Sequence, residues 1–376
     1  MSLDIQALLV SMFESNPSLS DAHITESRPV WVRMMGEMVS TDNLCPNSSD
    51  IVRFIESLDY DARNRDSLDL HGLMAMIERQ RDAGNASVPI RGNVGDYRVR
   101  ADLSLSCGFL SVVVRRLNDQ IPLLESLGLP CDVETQAAKP NGLVLVTGPT
   151  GSGKSTTLAS VVDYINRNFA KNILTIEDPI EYEHASKMSL ISPHEIGRDS
   201  PSFLASLRSA LRQDPDVVLL GEIRDKDTME VALATSETGH LVLATLHTNS
   251  AVKTIERVLS FFSGEEEDAA RNKLASVLNC IVSQSLIRKK NGSGRIMSFD
   301  YLHATSGIRS AINSGKTSNI GSLMSASSEG YVLMSDHMFK LVQDGVITPN
   351  DALEKCNNYE EMQRLLNGAG LLRKAN

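Results

Sequence analysis

The run Gly148-Pro149-Thr150-Gly151-Ser152-Gly153-Lys154-Ser155 fits G-x-x-x-x-G-K-[ST]. Those residue types at that spacing suit one task, the holding of a polyphosphate. The glycines let the backbone curl so that several N–H groups converge on one anion. Lys154 adds a point charge for the β- and γ-phosphates, and the Ser155 hydroxyl can hold Mg²⁺. The helix that follows turns its positive end toward the same anion. The loop and the first helical residues after it, Pro149, Thr150, Gly151, Ser152, Gly153, Lys154, Ser155 and Thr156, form the candidate nucleotide-binding set.

Two carboxylate sites accompany the loop. A generic enzyme of this kind carries an aspartate at the end of a second buried strand, where it holds Mg²⁺ through water. Here the apolar run Val217-Val-Leu-Leu220 is followed by Gly221-Glu222, so metal handling shifts to Glu222 or elsewhere. Glu177-Asp178 follows another apolar run, Ile173-Leu-Thr-Ile176. Both sites fall at the carboxyl edge of a predicted parallel sheet, where ligands bind in such folds. A carboxylate there orients the attacking water or holds water on Mg²⁺. His240 and His247 bracket the strand Leu241–Leu246 on opposite faces, which speaks against a shared metal. His247, at the strand's end, is the functional candidate of the two.

The elements that must position these groups are legible around them. From Gly142 onward strands and helices alternate, which predicts a parallel sheet. Strands are expected at 142–147, 173–176, 217–220 and 241–246. Helices are expected from Lys154 to Phe169, from Ser200-Pro201 toward Pro215, and from Thr228 to Thr238 with Gly239 at its end. Farther on, Glu265, Glu266 and Glu267 open a long helix that Arg288, Lys289 and Lys290 close, both charge runs matching the helix dipole. A strand at 296–302 and short helices follow. Residues 1–132 read as a separate mixed α/β unit. It has a first helix carrying Leu8, Leu9, Met12 and Phe13, a hairpin over Val30–Val39 turning at Gly36, helical spacing at 51–58 and 70–77, and a strand-rich stretch from Val88 to Leu117. The polar segment 133–141 reads as a linker, and 142–376 as the second domain, with about 303–376 a helical subregion.

Composition agrees with two folded units. The 376 residues, with 37 basic against 47 acidic side chains and a net charge of −10, are ordinary for a globular protein and long enough for two or three domains. The acidic balance and the lack of a basic stretch interleaved with aromatics argue against nucleic-acid binding. Five scattered cysteines with no C-x-x-C pair exclude a disulfide framework and a zinc ribbon and fit a reducing cytoplasm. No apolar run approaches ~18 residues, and the acid in Met1-Ser-Leu-Asp-Ile argues against a signal peptide.

Four boxes in order carry a resemblance to a known family. They are the phosphate loop from Gly148 to Thr157, the Asp box Thr175–Glu181, the Walker-B box Asp214–Asp225 and the His box Thr238–Asn249. The chain resembles the secretion-type traffic ATPases, and within them the PilT/PilU pilus-retraction branch. Gly221 is the glycine of that family's Walker-B box. The resemblance implies a PAS-like N-terminal domain, a RecA-like ATPase domain and a homohexameric ring. It implies ATP and Mg²⁺ as cofactors, Glu177 as general base, and Glu222 with Ser155 on Mg²⁺, although the two glutamates could exchange roles. It also implies arginines that reach the nucleotide from the N-terminal domain. Arg98 and Arg100 share the polar face of one strand and Arg115 ends another. The family's pattern favours Arg98 and Arg115, while Arg208 and Arg212 serve a helix surface as readily as catalysis. The partner implied is a membrane platform protein of a type IV pilus-like machine, worked from the cytoplasmic side of a bacterial inner membrane.

The chain departs from that family at Pro193-His194-Glu195, where a positive charge is lost, at Gly307–Ser314, where Ile308, Arg309 and Ile312 survive but Asn313 replaces an arginine, and at Gln284-Ser285-Leu286, which lacks a central basic residue. A conjugation or type IVB secretion ATPase is the near alternative to a pilus motor. A RecA-like nucleic-acid translocase and a nucleotide-binding regulator that does not hydrolyse are the alternatives from other classes.

Overall fold

In the computed structural model the chain forms two units, Met1–Gln120 and Ile121–Asn376. Residues 3–16, 18–34, 37–41, 44–58, 72, 74–75, 77–78, 87–117, 120–326 and 331–372 are described here. The turn expected at Gly36 and half of the residues expected to be helical at 70–77 lie outside them.

The first unit holds β1 (Leu19–Thr25), β2 (Trp31–Met34), β3 (Glu37–Ser40), β4 (Val88–Val94), β5 (Tyr97–Ser106) and β6 (Phe109–Arg116). These form one antiparallel sheet ordered β3-β2-β1-β6-β5-β4. Burial alternates along β5 and β6, as expected where one face meets a core and the other stays polar. The inward residues, among them Ala22, Ile24, Val99, Ala101, Val112 and Val114, share a core with Ile5, Leu9 and Phe13 of the first helix, Ile5–Ser15, and with Ile51, Phe54 and Ile55 of the helix Ser48–Ser57. Leu8, expected on the buried face, is only half-buried; Ile5 takes that place. An Asn47–Asp50 capping box starts the helix Ser48–Ser57.

The second unit is built on an eight-stranded sheet: β7 (Gly142–Thr147), β8 (Asn172–Glu177), β9 (Leu190–Glu195), β10 (Val217–Leu220), β11 (Leu241–Leu246), β12 (Leu278–Arg288), β13 (Arg295–His303) and β14 (Tyr331–Val332). Their order is β14-β13-β12-β7-β11-β10-β8-β9, with β12 to β9 parallel and β13 and β14 antiparallel. Every residue of β7, β10 and β11 is buried, the continuous apolar reading of strands covered on both faces. Two clusters divide the two sides. One includes Leu145, Leu220 and Leu246; the other includes Val144, Val146, Leu158 and Val162.

Several expectations are corrected here. The long helix from Glu265 ends at Val277, and 278–288 is β12, inserted beside β7 in the sheet. The cations at 288–290 therefore end a strand. The helix expected from Ser200-Pro201 starts at Phe203, and Ser202 is its cap, accepting from the Ala205 N–H at 3.2 Å. The division between the units falls at Gln120/Ile121. Most of the stretch read as a linker is the helix Asp132–Ala137, whose Val133 and Ala137, one turn apart, are buried. Its Asp132 accepts hydrogen bonds from Tyr301, from His303 and from Gln136 at 2.9 Å, the first two joining residues some 170 apart in sequence, which composition does not reveal.

Candidate active site

The phosphate loop leaves the carboxyl end of β7 and runs into the helix Lys154–Asn168. Its glycines are there for space and for conformation. Gly148 has φ +147°, and a Cβ on it would lie 2.2 Å from the Gln284 carbonyl. Gly151 and Gly153 have φ +76° and +89°, which side-chain-bearing residues rarely adopt. The Lys154 ammonium donates to the carbonyls of Gly148 at 2.9 Å and Pro149 at 3.1 Å. Burial pulls its pKa below the ordinary lysine value, against the opposing charges of Glu222 and Glu181.

Three residues assigned no site role from the sequence hold this loop and the segment beside it. Gln284 of β12, 1% exposed, donates from Nε2 to the Ser152 carbonyl at 2.7 Å and accepts from the Thr157 hydroxyl at 2.9 Å. It fastens the loop and the first helical turn to the neighbouring strand. The Thr156 and Tyr182 hydroxyls lie 2.8 Å apart, which joins the loop to the segment after Glu177. The buried Glu195 accepts from the Ile180 N–H at 3.3 Å and steadies that segment from β9. Tyr182 stands beside the Asp box, and Glu195 and Gln284 fall in stretches where the chain departs from the family, which marked their positions but not their roles.

The acidic groups come from strands adjacent in the sheet. Glu177 ends β8 and Glu222 lies two residues beyond β10. Gly221 N–H donates to the Ile176 carbonyl at 2.8 Å. A Cβ at 221 would sit 3.3 Å from the Glu177 Cα, so the glycine permits the close approach of the two carboxylate-bearing segments. Glu222 pairs with Arg224 at 2.7 Å and with His247 Nε2 at 3.1 Å. Burial alone would raise the Glu222 carboxyl, but the Arg224 hydrogen bond and charge, with His247 and Lys154, outweigh it and hold it below the usual glutamate value. Glu177 Oε2 accepts from the Glu181 N–H at 3.4 Å.

The structure thus gathers the loop, Glu177, Glu222 and His247 at one edge of the sheet. His240 lies at the other end of β11, with its Nδ1 3.1 Å from the Thr235 carbonyl, so the two histidines share nothing. Arg98 and Arg115 belong to the first unit. There Arg100 stands opposite Arg115 in the β5–β6 register, and Arg98, two residues along the strand, lies on the same polar face. Arg115 donates to the buried Asp21 at 2.7 Å. Arg208 is exposed on the helix Phe203–Ala210.

The residues present suit a nucleotide with Mg²⁺. The Ser152 hydroxyl is buried inside the loop without a partner, the loop is curled about an ammonium, and Ser155 and Glu222 offer the hard oxygen donors that Mg²⁺ takes one or two at a time.

A family model described as "Type II/IV secretion system protein" matches residues 14–343. The chain belongs to this family. It is an ATP-hydrolysing, nucleotide-binding enzyme. It is 38% identical over 357 residues to the type IV pilus retraction ATPase PilT of Pseudomonas aeruginosa, covering 94% of this chain and 98% of that one. A twitching motility protein of Neisseria gonorrhoeae is 43% identical over 271 residues, 72% of each chain. The crystal structure of the pilus retraction motor PilT with bound ADP superposes with a TM-score of 0.82 at 36% identity, over 96% of this chain and all of that one. Among the described residues no helix is long and apolar enough to cross a membrane.

Proposed function

We propose that the protein is a Mg²⁺-dependent, homohexameric ATPase motor that drives retraction of a type IV pilus-like machine from the cytoplasmic face of a bacterial inner membrane, acting on a membrane platform protein. The observation that carries this reading is the convergence of the phosphate loop, Glu177, Glu222 and His247 on one sheet edge, in a chain that matches a PilT along nearly its whole length.

In this reading the loop N–H groups and Lys154 bind the phosphates, and Lys154 leaves the Gly148 and Pro149 carbonyls to do so. Mg²⁺, when bound, neutralises charge that develops on the phosphoryl oxygens. Ser155 and Glu222 would hold it. Glu222 is suited to the role because its neighbours keep it ionised. Glu177 accepts the proton of the attacking water. His247, paired with Glu222 at 3.1 Å, fixes that carboxylate's orientation. Arg98 and Arg115 reach the nucleotide of an adjacent subunit and stabilise transition-state charge.

The departures from the family at Asn313 and Ser314, both exposed, favour a second reading in which a related ring drives a conjugation or type IVB secretion machine. The purified chain should assemble into hexamers and release phosphate from ATP only with Mg²⁺. Absence of Mg²⁺-dependent turnover in the assembled protein would sink the motor reading. Loss of twitching on deletion, restored by the wild-type gene, separates the pilus from the secretion machine.

A further inference from the structure

Asp300 of β13 is a buried carboxylate, 6% exposed, far from the four boxes in sequence. It accepts from three directions: the Met334 N–H at 2.6 Å, the Ala251 N–H at 3.3 Å and the Asn357 side-chain amide at 3.3 Å. Met334 opens the helix Met334–Gln343 and Ala251 opens the helix Ala251–Leu259. Asp300 therefore satisfies first-turn N–H groups that a helix cannot satisfy itself, with favourable dipoles on both sides. Burial nevertheless pushes its carboxyl up to about 6, because two helix ends and an amide replace water only in part.

The helix Ala251–Leu259 leads on to the nucleotide site.

 

Thr254, fully buried on this helix, donates to the Ser250 carbonyl at 2.8 Å. Its hydroxyl also lies 2.7 Å from that of Thr248 and 3.2 Å from that of Thr147. Thr147 is the last residue before Gly148 and Thr248 follows His247. One hydroxyl thus ties the root of the phosphate loop to the residue beside the Glu222 partner. On the far side of Asp300, Met334 belongs to a separate C-terminal core with Met338, Met362 and Leu366.

We propose that Asp300 and Thr254 are positioning residues of the ATPase site, which couple the arrangement of the C-terminal helices to the root of the phosphate loop and to His247. The proposal rests on the reading that His247 and Glu222 act at the nucleotide. Asp300 sets where the helix Ala251–Leu259 begins, and Thr254 carries that setting to both loops. Neither residue touches substrate.

The test uses the full chain and four variants: Thr254→Val, Thr254→Ser, Asp300→Asn and the Thr254→Val/Asp300→Asn double. Val removes the hydroxyl at similar volume, Ser keeps it, and Asn turns an amide donor toward N–H donors. Steady-state kcat and KM for ATP are measured, with affinity for a fluorescent ADP analogue. Thr254→Val should lower kcat about tenfold with ADP affinity within about twofold, and Thr254→Ser should restore kcat to within about twofold. The double should fall well short of the product of the single effects, as groups on one path do. Wild-type kcat in Thr254→Val, equal losses in Val and Ser, or multiplying effects in the double would each overturn the proposal. If Asp300→Asn does not fold, the Val and Ser pair decides alone. Glu222→Gln with wild-type turnover would instead refute the underlying reading of the site, and is scored separately.

Discussion

The parallel sheet of the second unit and the antiparallel sheet of the first bury their strands differently, and their charged groups lie in different places as a result. β7, β10 and β11 are apolar throughout because helices cover both faces. No face is left for chemistry, so Glu177, Glu222 and His247 stand just at or beyond strand ends. β5 and β6 alternate, and their free face carries Arg98, Arg100 and Arg115 with Asp21 and His23 across the register. An edge gathers a few groups from several strands around one small ligand. A face spreads charges at the spacing of the pleat, which suits contact with a broader surface.

The largest effect expected from breaking this contrast is at the edge. Glu177→Gln should lower phosphate release by about 10²–10⁴-fold while ADP-analogue affinity is kept; equal turnover would move the base elsewhere. Next comes Gly221→Ala. The added methyl meets the Glu177 backbone at 3.3 Å, and overpacking of this kind costs about 1–3 kcal/mol. A fall in turnover of about tenfold or more, with a lower midpoint in urea, is expected, and a neutral substitution would show that the two segments need not approach so closely.

On the face, Arg115→Ala should act first on stability. It leaves the Asp21 carboxylate, 7% exposed, short of its cation, at a cost of about 1–3 kcal/mol. Arg98→Ala should leave the fold intact and lower turnover only in assembled protein. If it lowers turnover equally in isolated subunits, the face serves its own chain rather than a neighbour.

The effect confined to stability, with no change expected in turnover, compares two histidines. Burial lowers His184, in the second unit, to about 4, and it lowers His23 on the first unit's face as well, Asp21 partly opposing. Between about 4 and 6.5 the unfolded chain holds a proton at position 184 that the folded chain does not. Stability therefore falls as pH drops through that window, by about 2–3 kcal/mol in all. Urea midpoints at pH 7 and pH 5 should differ by less in His184→Gln than in the wild type; an unchanged difference would assign the slope to other groups.

The departures from the family are distributed in a way the fold explains. In the helix Ser306–Asn313 the residues that survive are the inward ones. Ile308 and Ile312 are fully buried, and Arg309 donates to the carbonyls of Ala275, Ser276 and Leu278 at the end of the helix Glu265–Val277. Among the residues that differ, Asn313 and Ser314 are exposed and Ala311 is buried. Packing and carbonyl capping hold the three that survive.

Sequence by itself determined the groups whose meaning is local. The phosphate loop needs glycines, a lysine and a serine at fixed spacing. Glu177 and Glu222 are recognisable because each follows a short apolar run. The alternating and continuous hydrophobic patterns separate the two kinds of sheet. Tertiary structure alone decided the groups whose meaning depends on a distant neighbour. β12 reads as the continuation of a helix because no glycine or proline separates Glu265 from Lys290. Its strand identity comes from pairing with β7, more than 130 residues earlier. In that place Gln284, Asn279 and Ser283 find hydrogen-bond partners in Ser152, Thr157, Asn141 and Thr248, which explains polar residues in a covered strand. Asp300 and Thr254 likewise acquire a role only when the sheet brings two helix ends and the root of the phosphate loop within hydrogen-bond reach. Local backbone and periodicity rules act over a few residues, whereas hydrogen bonds between strands join residues that sequence spacing leaves unrelated.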